Sequence, residues 1–506
     1  MLDAQIPFEL IVFFGLIVNR EFSHMIKRKN FCCALPTTMQ LLAAFLSTIV
    51  GINQPSTVHI SLGDAVGTMR IVWSSSSVAF ASVASRGSAP SVRYGVNADS
   101  LEHVAIASTA TLLNTDVAKG QPNRTILVHR ATLADLAPRT RFFYQVNSGD
   151  NSSNSSSVLS FTTKAPHTSR DSASPRYGES VTFAVFGDMG VKEQEGANWT
   201  RMRLFEHRAK GDIDAVLHVG DIAYDLRENG GQTGDEFLHD MEPLASSTPY
   251  MTVPGNHERD CPIVHGIATA NCPVPPYTNF RARFPPPNAA HSDCAVAKEG
   301  ACSSISMVDG APLWWSMDIG AAHVVGLNTD WYTLPAGDAA SAKILAQRKW
   351  LENDLNQVNR SNTPWVIALG HQMMYSSHDS GHRSQAKIIR EGRSPYTGLE
   401  AIFHAHEVDL YFAGHEHVYE HFSRIYNSST KEIDGKRGTA HIVVGNAGNR
   451  EFPYKAGFDE KMPPYERFRS PFPSGFGLLE VNRTAMRFRQ FNARNGSILD
   501  SHTYMR

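Results

Sequence analysis

Short apolar runs, each closed by a glycine and a polar residue, recur through the last two thirds of the chain. Residues 181–186, 213–219, 249–254, 365–369 and 408–413 are such runs. The segments after them are Gly187-Asp188-Met189-Gly190, Gly220-Asp221-Ile222-Ala223-Tyr224, Gly255-Asn256-His257-Glu258, Gly370-His371 and Gly414-His415-Glu416-His417. Short apolar runs bounded by turn signals read as strands buried on both faces. Helical patterns lie between them. Residues 233–246 place Phe237, Met241 and Leu244 at spacings of four and three, and residues 341–358 carry Ile344, Leu351 and Leu355 on one face. Alternating strands and helices predict an α/β layer with its polar segments gathered at the carboxyl ends of the strands, where open sheets place their sites.

Upstream the period changes. Residues 58–62, 69–73, 91–94, 125–128 and 142–146 are short alternating or aromatic runs separated by polar turns, which predicts a β-sandwich over residues 55–163. Residues 136–142 resemble the corner before the sixth strand of fibronectin type III-like domains. A tyrosine hydroxyl ties that corner to backbone there, but position 142 is Phe142, so the corner is expected to be held differently. Residues 151–156 read as a hairpin tip, and residues 164–180, rich in Ser, Pro and Arg, as a linker. Residues 181–506 then form the second domain, ending in a capping segment.

A chain of 506 residues exceeds one ordinary core, in keeping with this division. Its net charge of −2, with Lys and Arg scattered, gives no reason to expect nucleic acid or an anionic membrane as a partner. Residues 1–52 differ from the rest: Lys27-Arg28-Lys29 precede an apolar stretch over residues 31–50, the order of a secretory signal. We expect a signal peptide or a mis-called extension with the true start at Met25 or Met39; a retained anchor is the alternative. Eight Asn-x-Ser/Thr sequons, at Asn123, Asn151, Asn154, Asn198, Asn359, Asn427, Asn482 and Asn495, add weak support for export as a glycoprotein. Cys261, Cys272, Cys294 and Cys302 cluster in one Pro-rich insertion. Three pairings are possible, and loop length favours Cys261 with Cys272 and Cys294 with Cys302.

A single Gly-Asp or Gly-His pair is ordinarily a turn. Here Asp, then Asp with Tyr three residues on, then Asn-His, then His, then His-x-His follow one another, each after an apolar run and a glycine that lets the chain turn sharply. These residues resemble the dinuclear metallophosphoesterases, and more closely the large, plant-like purple acid phosphatases. The resemblance extends to Asp235-Glu236-Phe237, Gln347-Arg348-Lys349-Trp350-Leu351 and Phe476-Gly477-Leu478-Leu479-Glu480-Val481. Other metallophosphoesterases generally carry Asp-x-His at the first motif; this chain has Asp188-Met189-Gly190 and offers Tyr224 instead. The resemblance implies a four-layered α/β/β/α domain behind the sandwich.

Carried over by matched motif, Asp188, Tyr224 and His417 would hold one metal, Asn256, His371 and His415 a second, and Asp221 would bridge them. Carboxylate and phenolate suit a trivalent ion and amide oxygen and imidazole a divalent one, which gives Fe(III) with Fe, Zn or Mn. Paired cations would neutralise phosphate oxygens and activate water. His257 would contact phosphate and protonate the leaving alkoxide, or only orient a metal ligand. Tyr224 has packing as its alternative. After His371 the family's usual His-x-Pro-x-Tyr is broken, because the chain reads His371-Gln372-Met373-Met374-Tyr375. Reach of His378, His382 and Tyr375 to substrate is left open, with His382 read as a surface residue.

The sequence therefore predicts an acid phosphatase hydrolysing small phosphomonoesters in a secreted or vacuole-like, lysosome-like compartment. A phosphodiesterase or nucleotide phosphohydrolase with the same metals is one alternative. A catalytically weak cell-surface binding protein is the other, and the full ligand set argues against it.

Overall fold

A computed structural model describes residues 55–76, 89–114, 124–149, 155–164, 180–191, 195–260, 263–264, 267–268, 277–287, 313–335, 337–451 and 457–506. The expected leader, most of the linker and the four cysteines of the insertion lie outside the described residues.

The first domain is two antiparallel four-stranded sheets. One runs Ser56–Leu62, Met69–Ser76, Arg124–Leu133, Ser108–Asn114; the other runs His103–Ile106, Ser91–Gly95, Arg141–Asn147, Leu159–Thr162. Alternation decides what faces inward. In Arg141–Asn147 the buried positions are Phe142, Tyr144 and Val146, and they meet Val58, Ile60, Ile71, Trp73 and Val92 in one core. The corner lacking a tyrosine is held by Thr163, whose hydroxyl accepts from Thr140 N at 3.0 Å and donates to Ala137 O at 2.6 Å. Phe142 uses its ring instead, stacked on Phe161 at 5.9 Å.

The sandwich is bound to the second domain by side chains that reach buried carbonyls. Tyr144 donates to Ser246 O, His59 Nε2 lies 2.7 Å from Arg283 O, Arg70 donates to Pro286 O at 2.9 Å and Arg130 to Ala282 O at 2.8 Å.

Two sheets pack face to face in the second domain. The first runs Tyr250–Thr252, Ala215–His218, Val181–Phe186, Gly475–Val481, Ala485–Asn492, Ile498–Met505, with its first three strands parallel. The second runs Trp315–Ile319, Ala322–Gly326, Trp365–Leu369, Leu410–Ala413, Thr439–Val444, Tyr419–Ile425, Glu466–Ser470, with the four from Ala322–Gly326 to Thr439–Val444 parallel. Phe183, Val185, Leu217, Ile367, Leu369 and Phe412 fill the space between them. The other faces of the same strands, Ala184, Phe186, Val216, Val366, Ala368 and Tyr411, pack with helix residues Leu204, Phe237, Met241, Ile344, Leu351 and Ile402. Both faces are covered, which is why the runs carry no polar alternation, and the layers are helix, sheet, sheet, helix.

The element expected over residues 233–246 spans Glu228–Ala245, with Asn229, Gly230 and Gly231 at φ of 53°, 67° and 83°. Regular helix begins only after that break, where the apolar period begins. The closing segment completes the first sheet: Gly475–Val481 pairs antiparallel with Val181–Phe186. No helix among the described residues is long and apolar enough to cross a membrane.

Candidate metal centre

The parallel strands of the two sheets end side by side, and the polar segments leave from those ends. Asp188 follows Val181–Phe186, Asp221 and Tyr224 follow Ala215–His218, and Asn256 follows Tyr250–Thr252. From the second sheet, His371 follows Trp365–Leu369, and His415 and His417 follow Leu410–Ala413. Gly187 N donates to Val444 O at 2.9 Å, joining the sheets at this edge. Close approach requires glycine here: a Cβ on Gly414 would run into the Asp188 carboxylate, and one on Gly255 into that of Asp221.

The structure brings six of the seven sequence-predicted donors into two groups of three, with the seventh, Asp221, against the second group and its charge acting on Asp188 and Tyr224 of the first. In one, the Tyr224 hydroxyl lies 3.1 Å from Asp188 Oδ1 and 2.9 Å from His417 Nε2, with His417 Nε2 3.4 Å from Asp188 Oδ1. In the other, Asn256 Oδ1 lies 3.0 Å from His371 Nε2 and 2.9 Å from His415 Nδ1, and the two ring nitrogens are 3.3 Å apart. Asp221 Oδ2 is 3.2 Å from His371 Nε2. Ligand atoms of Asp221, His371 and His415 all fall within 4.8 Å of one another, the one His/Cys/Asp/Glu grouping of metal-binding geometry among the described residues.

The donor set fits cations. His371 Nδ1 donates to Val219 O at 3.0 Å, so in the neutral ring Nε2 is an acceptor. It faces another acceptor, Asn256 Oδ1, and a carboxylate. Acceptors facing acceptors at 3 Å need a shared positive charge between them, a proton or a metal. Burial lowers the His371 pKa, yet the Asp221 charge raises it to about 10, so a proton occupies this place when no metal does.

Electrostatics at the other ligands point the same way. Burial, then Asp188, pushes the Tyr224 phenol well above its ordinary range, so a phenolate there requires a bound cation. Burial raises Asp188 as well. Asp221 is also buried, but His371 and His257 hold it below the usual carboxylate range. Backbone geometry agrees: Asp188, Asp221, Tyr224 and His415 sit at φ of 60°, 49°, 53° and 69°. Such left-handed non-glycine residues cost about 1–3 kcal/mol each and cluster where a site over-determines them.

Around this cage lie His257, which the sequence singled out, and acidic groups that it did not. His257, 15% exposed, lies tilted against Tyr224 with the ring centroids 4.4 Å apart, its Nδ1 3.0 Å from Asp225 and its Nε2 3.9 Å from Asp221 and 3.6 Å from Glu451. Glu258 accepts from Asp221 N and Gly255 N at 2.8 Å and from Ile222 N at 2.9 Å, tying two ligand loops together. Glu416 lies between two histidine donors and binds His378 and His382. These acidic residues stand inside or beside the motifs, but a residue whose partner is a backbone amide or an imidazole has no spacing signature of its own.

His382 is not a detached surface residue: its ring is 4.3 Å from that of His415. His378 is buried, with its ring against Phe458. Tyr375 is wall packing, its hydroxyl donating to Glu400 beneath the Arg390 guanidinium.

Two matched sheets with donors at their shared carboxyl edge are the architecture of calcineurin-like phosphoesterases, and residues 181–419 match that family model. Residues 55–163 match the purple acid phosphatase N-terminal domain, and residues 438–501 the iron/zinc purple acid phosphatase-like protein C model. An acid phosphatase type 7 of Mus musculus is 31% identical over 466 residues, covering 88% of this chain and 90% of its own length. A phosphoenolpyruvate phosphatase of Allium cepa is 28% identical over 448 residues, covering 87% of this chain and 78% of its own. The purple acid phosphatase from yellow lupin (Lupinus luteus) seeds has the same fold, with a TM-score of 0.66 at 22% identity over 90% of this chain and 75% of that one. The chain belongs to the purple acid phosphatases. It is a metal-dependent phosphomonoester hydrolase, and the dinuclear metal dependence of the family accords with the candidate metal site found here.

Proposed function

We propose that Asp188, Tyr224 and His417 hold Fe(III), that Asn256, His371 and His415 hold a divalent Fe, Zn or Mn ion, and that Asp221 bridges the two. The reading places hydrolysis of small phosphate monoesters in a secreted or vacuole-like compartment. The observation that supports it most is the second group, where a carboxylate, an amide oxygen and two imidazoles converge on one point. When bound, the ions neutralise phosphate oxygens and supply an activated water.

The chain's own residues do the rest. Asp225 fixes the His257 ring through Nδ1, leaving Nε2 toward the cage. Burial disfavours the imidazolium, but the charges of Asp221 and Asp225 outweigh it and raise the His257 pKa to about 9. Held in this way, the ring would donate from Nε2 to the leaving alkoxide.

Steady-state rates on p-nitrophenyl phosphate and bis(p-nitrophenyl) phosphate, with phosphoenolpyruvate as a third substrate, test the reading. The monoester should be turned over faster, and His257→Ala should lower kcat about 100-fold or more with metal content unchanged. Faster diester cleavage would overturn it.

A further inference from the structure

The loop after His371 lacks the proline that the family usually places there, so something else must hold it. Two buried carboxylates do. Glu420 accepts from Ser377 N at 2.6 Å and from Ser376 Oγ at 2.7 Å. Glu416, fully buried, takes three donors from the same loop: His378 Nδ1 at 2.6 Å on Oε2, and His382 Nδ1 at 2.9 Å with the Ser380 hydroxyl on Oε1.

The two histidine donors differ in what they present to solvent. The His378 side chain is 2% exposed and His382 24% exposed. With Nδ1 committed to Glu416, the polar atom His382 has left is Nε2, on a ring lying 4.3 Å from His415. His257 stands beside Tyr224 of the first group in a similar way.

We propose that Glu416 is a positioning residue for phosphate: it fixes His382 against the second metal group so that Nε2 is presented to the substrate. The inference rests on the proposed site above and deepens it. Only an acceptor-only group of this length can take an imidazole on each oxygen and a hydroxyl besides. Because Glu416 stands between His415 and His417, one short segment supplies a donor to each metal group and anchors the loop after His371.

The test is inorganic phosphate binding to the metal-loaded full chain by calorimetry, with elemental analysis of every variant and steady-state kinetics on p-nitrophenyl phosphate. Glu416→Gln and His382→Ala should each weaken phosphate binding by about 10-fold, with KM raised more than kcat is lowered and metal content unchanged. Combined, they should weaken it by no more than about twofold beyond either alone, since both act through one contact. Ser380→Ala, a milder change to the same carboxylate, should give a smaller loss of the same sign, which keeps the test open should Glu416→Gln fold poorly. Multiplying effects, unchanged phosphate affinity in Glu416→Gln and Ser380→Ala, or loss of metal from Glu416→Gln would overturn the proposal. An inactive wild type would count against the phosphatase reading alone, because phosphate affinity is read without turnover.

Discussion

Tyr224 carries the most distinctive chemistry of any one residue here. Its ring is fully buried, its φ is 53°, and its hydroxyl touches both Asp188 and His417. A tyrosine placed only for packing would bond to backbone; this one faces a carboxylate and an imidazole. Tyr224→Phe should abolish the visible charge-transfer band of the metal-loaded protein while its circular dichroism is retained, and a band that survives would remove Tyr224 from the first metal group. Gly414 acts one step back, since it leaves room for the Asp188 carboxylate. Gly414→Ala should cut metal content to below one ion per chain, read by elemental analysis, and a fully loaded variant would show that the close approach is not required.

At the scale of elements, one imidazole joins three of them. His323 on Ala322–Gly326 lies with Nδ1 2.7 Å from Asp318 on the neighbouring strand and Nε2 2.9 Å from Asp354 on the helix Asp338–Gln357. Burial lowers its pKa, but the two aspartates prevail and raise it from 6.5 to about 9. A raised histidine stabilises the fold fully below its unfolded pKa and loses that contribution as pH rises through the folded value. Between pH 6.5 and 9 the wild type should therefore lose stability on the order of 3 kcal/mol, read as a falling urea midpoint. In His323→Gln that slope should flatten, and an unchanged slope would contradict the assignment.

Which elements are legible depends on burial. Val181–Phe186 and Trp365–Leu369 stand at their expected bounds because strands covered on both faces are apolar throughout. His103–Ile106 is an edge strand with no buried side chain, and Ser108–Asn114 opens on Ser-Thr-Ala-Thr, so neither has the alternation that marks a strand. Donors at strand tips were legible for the same reason the strands were, since each follows an apolar run. Asp225, Glu258 and Glu416 were not, because partners from other loops leave no local spacing: His257 for Asp225, the amides of Asp221 and Ile222 for Glu258, and His378 and His382 for Glu416.

At the scale of the whole molecule, the partition into sandwich and α/β unit follows from a change of period near residue 180. The doubling of the α/β layer into two sheets does not. It depends on Gly475–Val481 returning beside Val181–Phe186, a pairing across some 300 positions that no local pattern carries. That return encloses the core between the sheets and sets their parallel ends together, so that Asp188, Asp221 and Asn256 from one sheet face His371, His415 and His417 from the other. Two ions held at that shared carboxyl edge are what the proposed site requires. The most direct test is elemental analysis of the purified full chain, taken with its visible spectrum. The account predicts two metal ions per chain, one of them iron with a charge-transfer band; a chain that binds one ion or none after metal loading would contradict it.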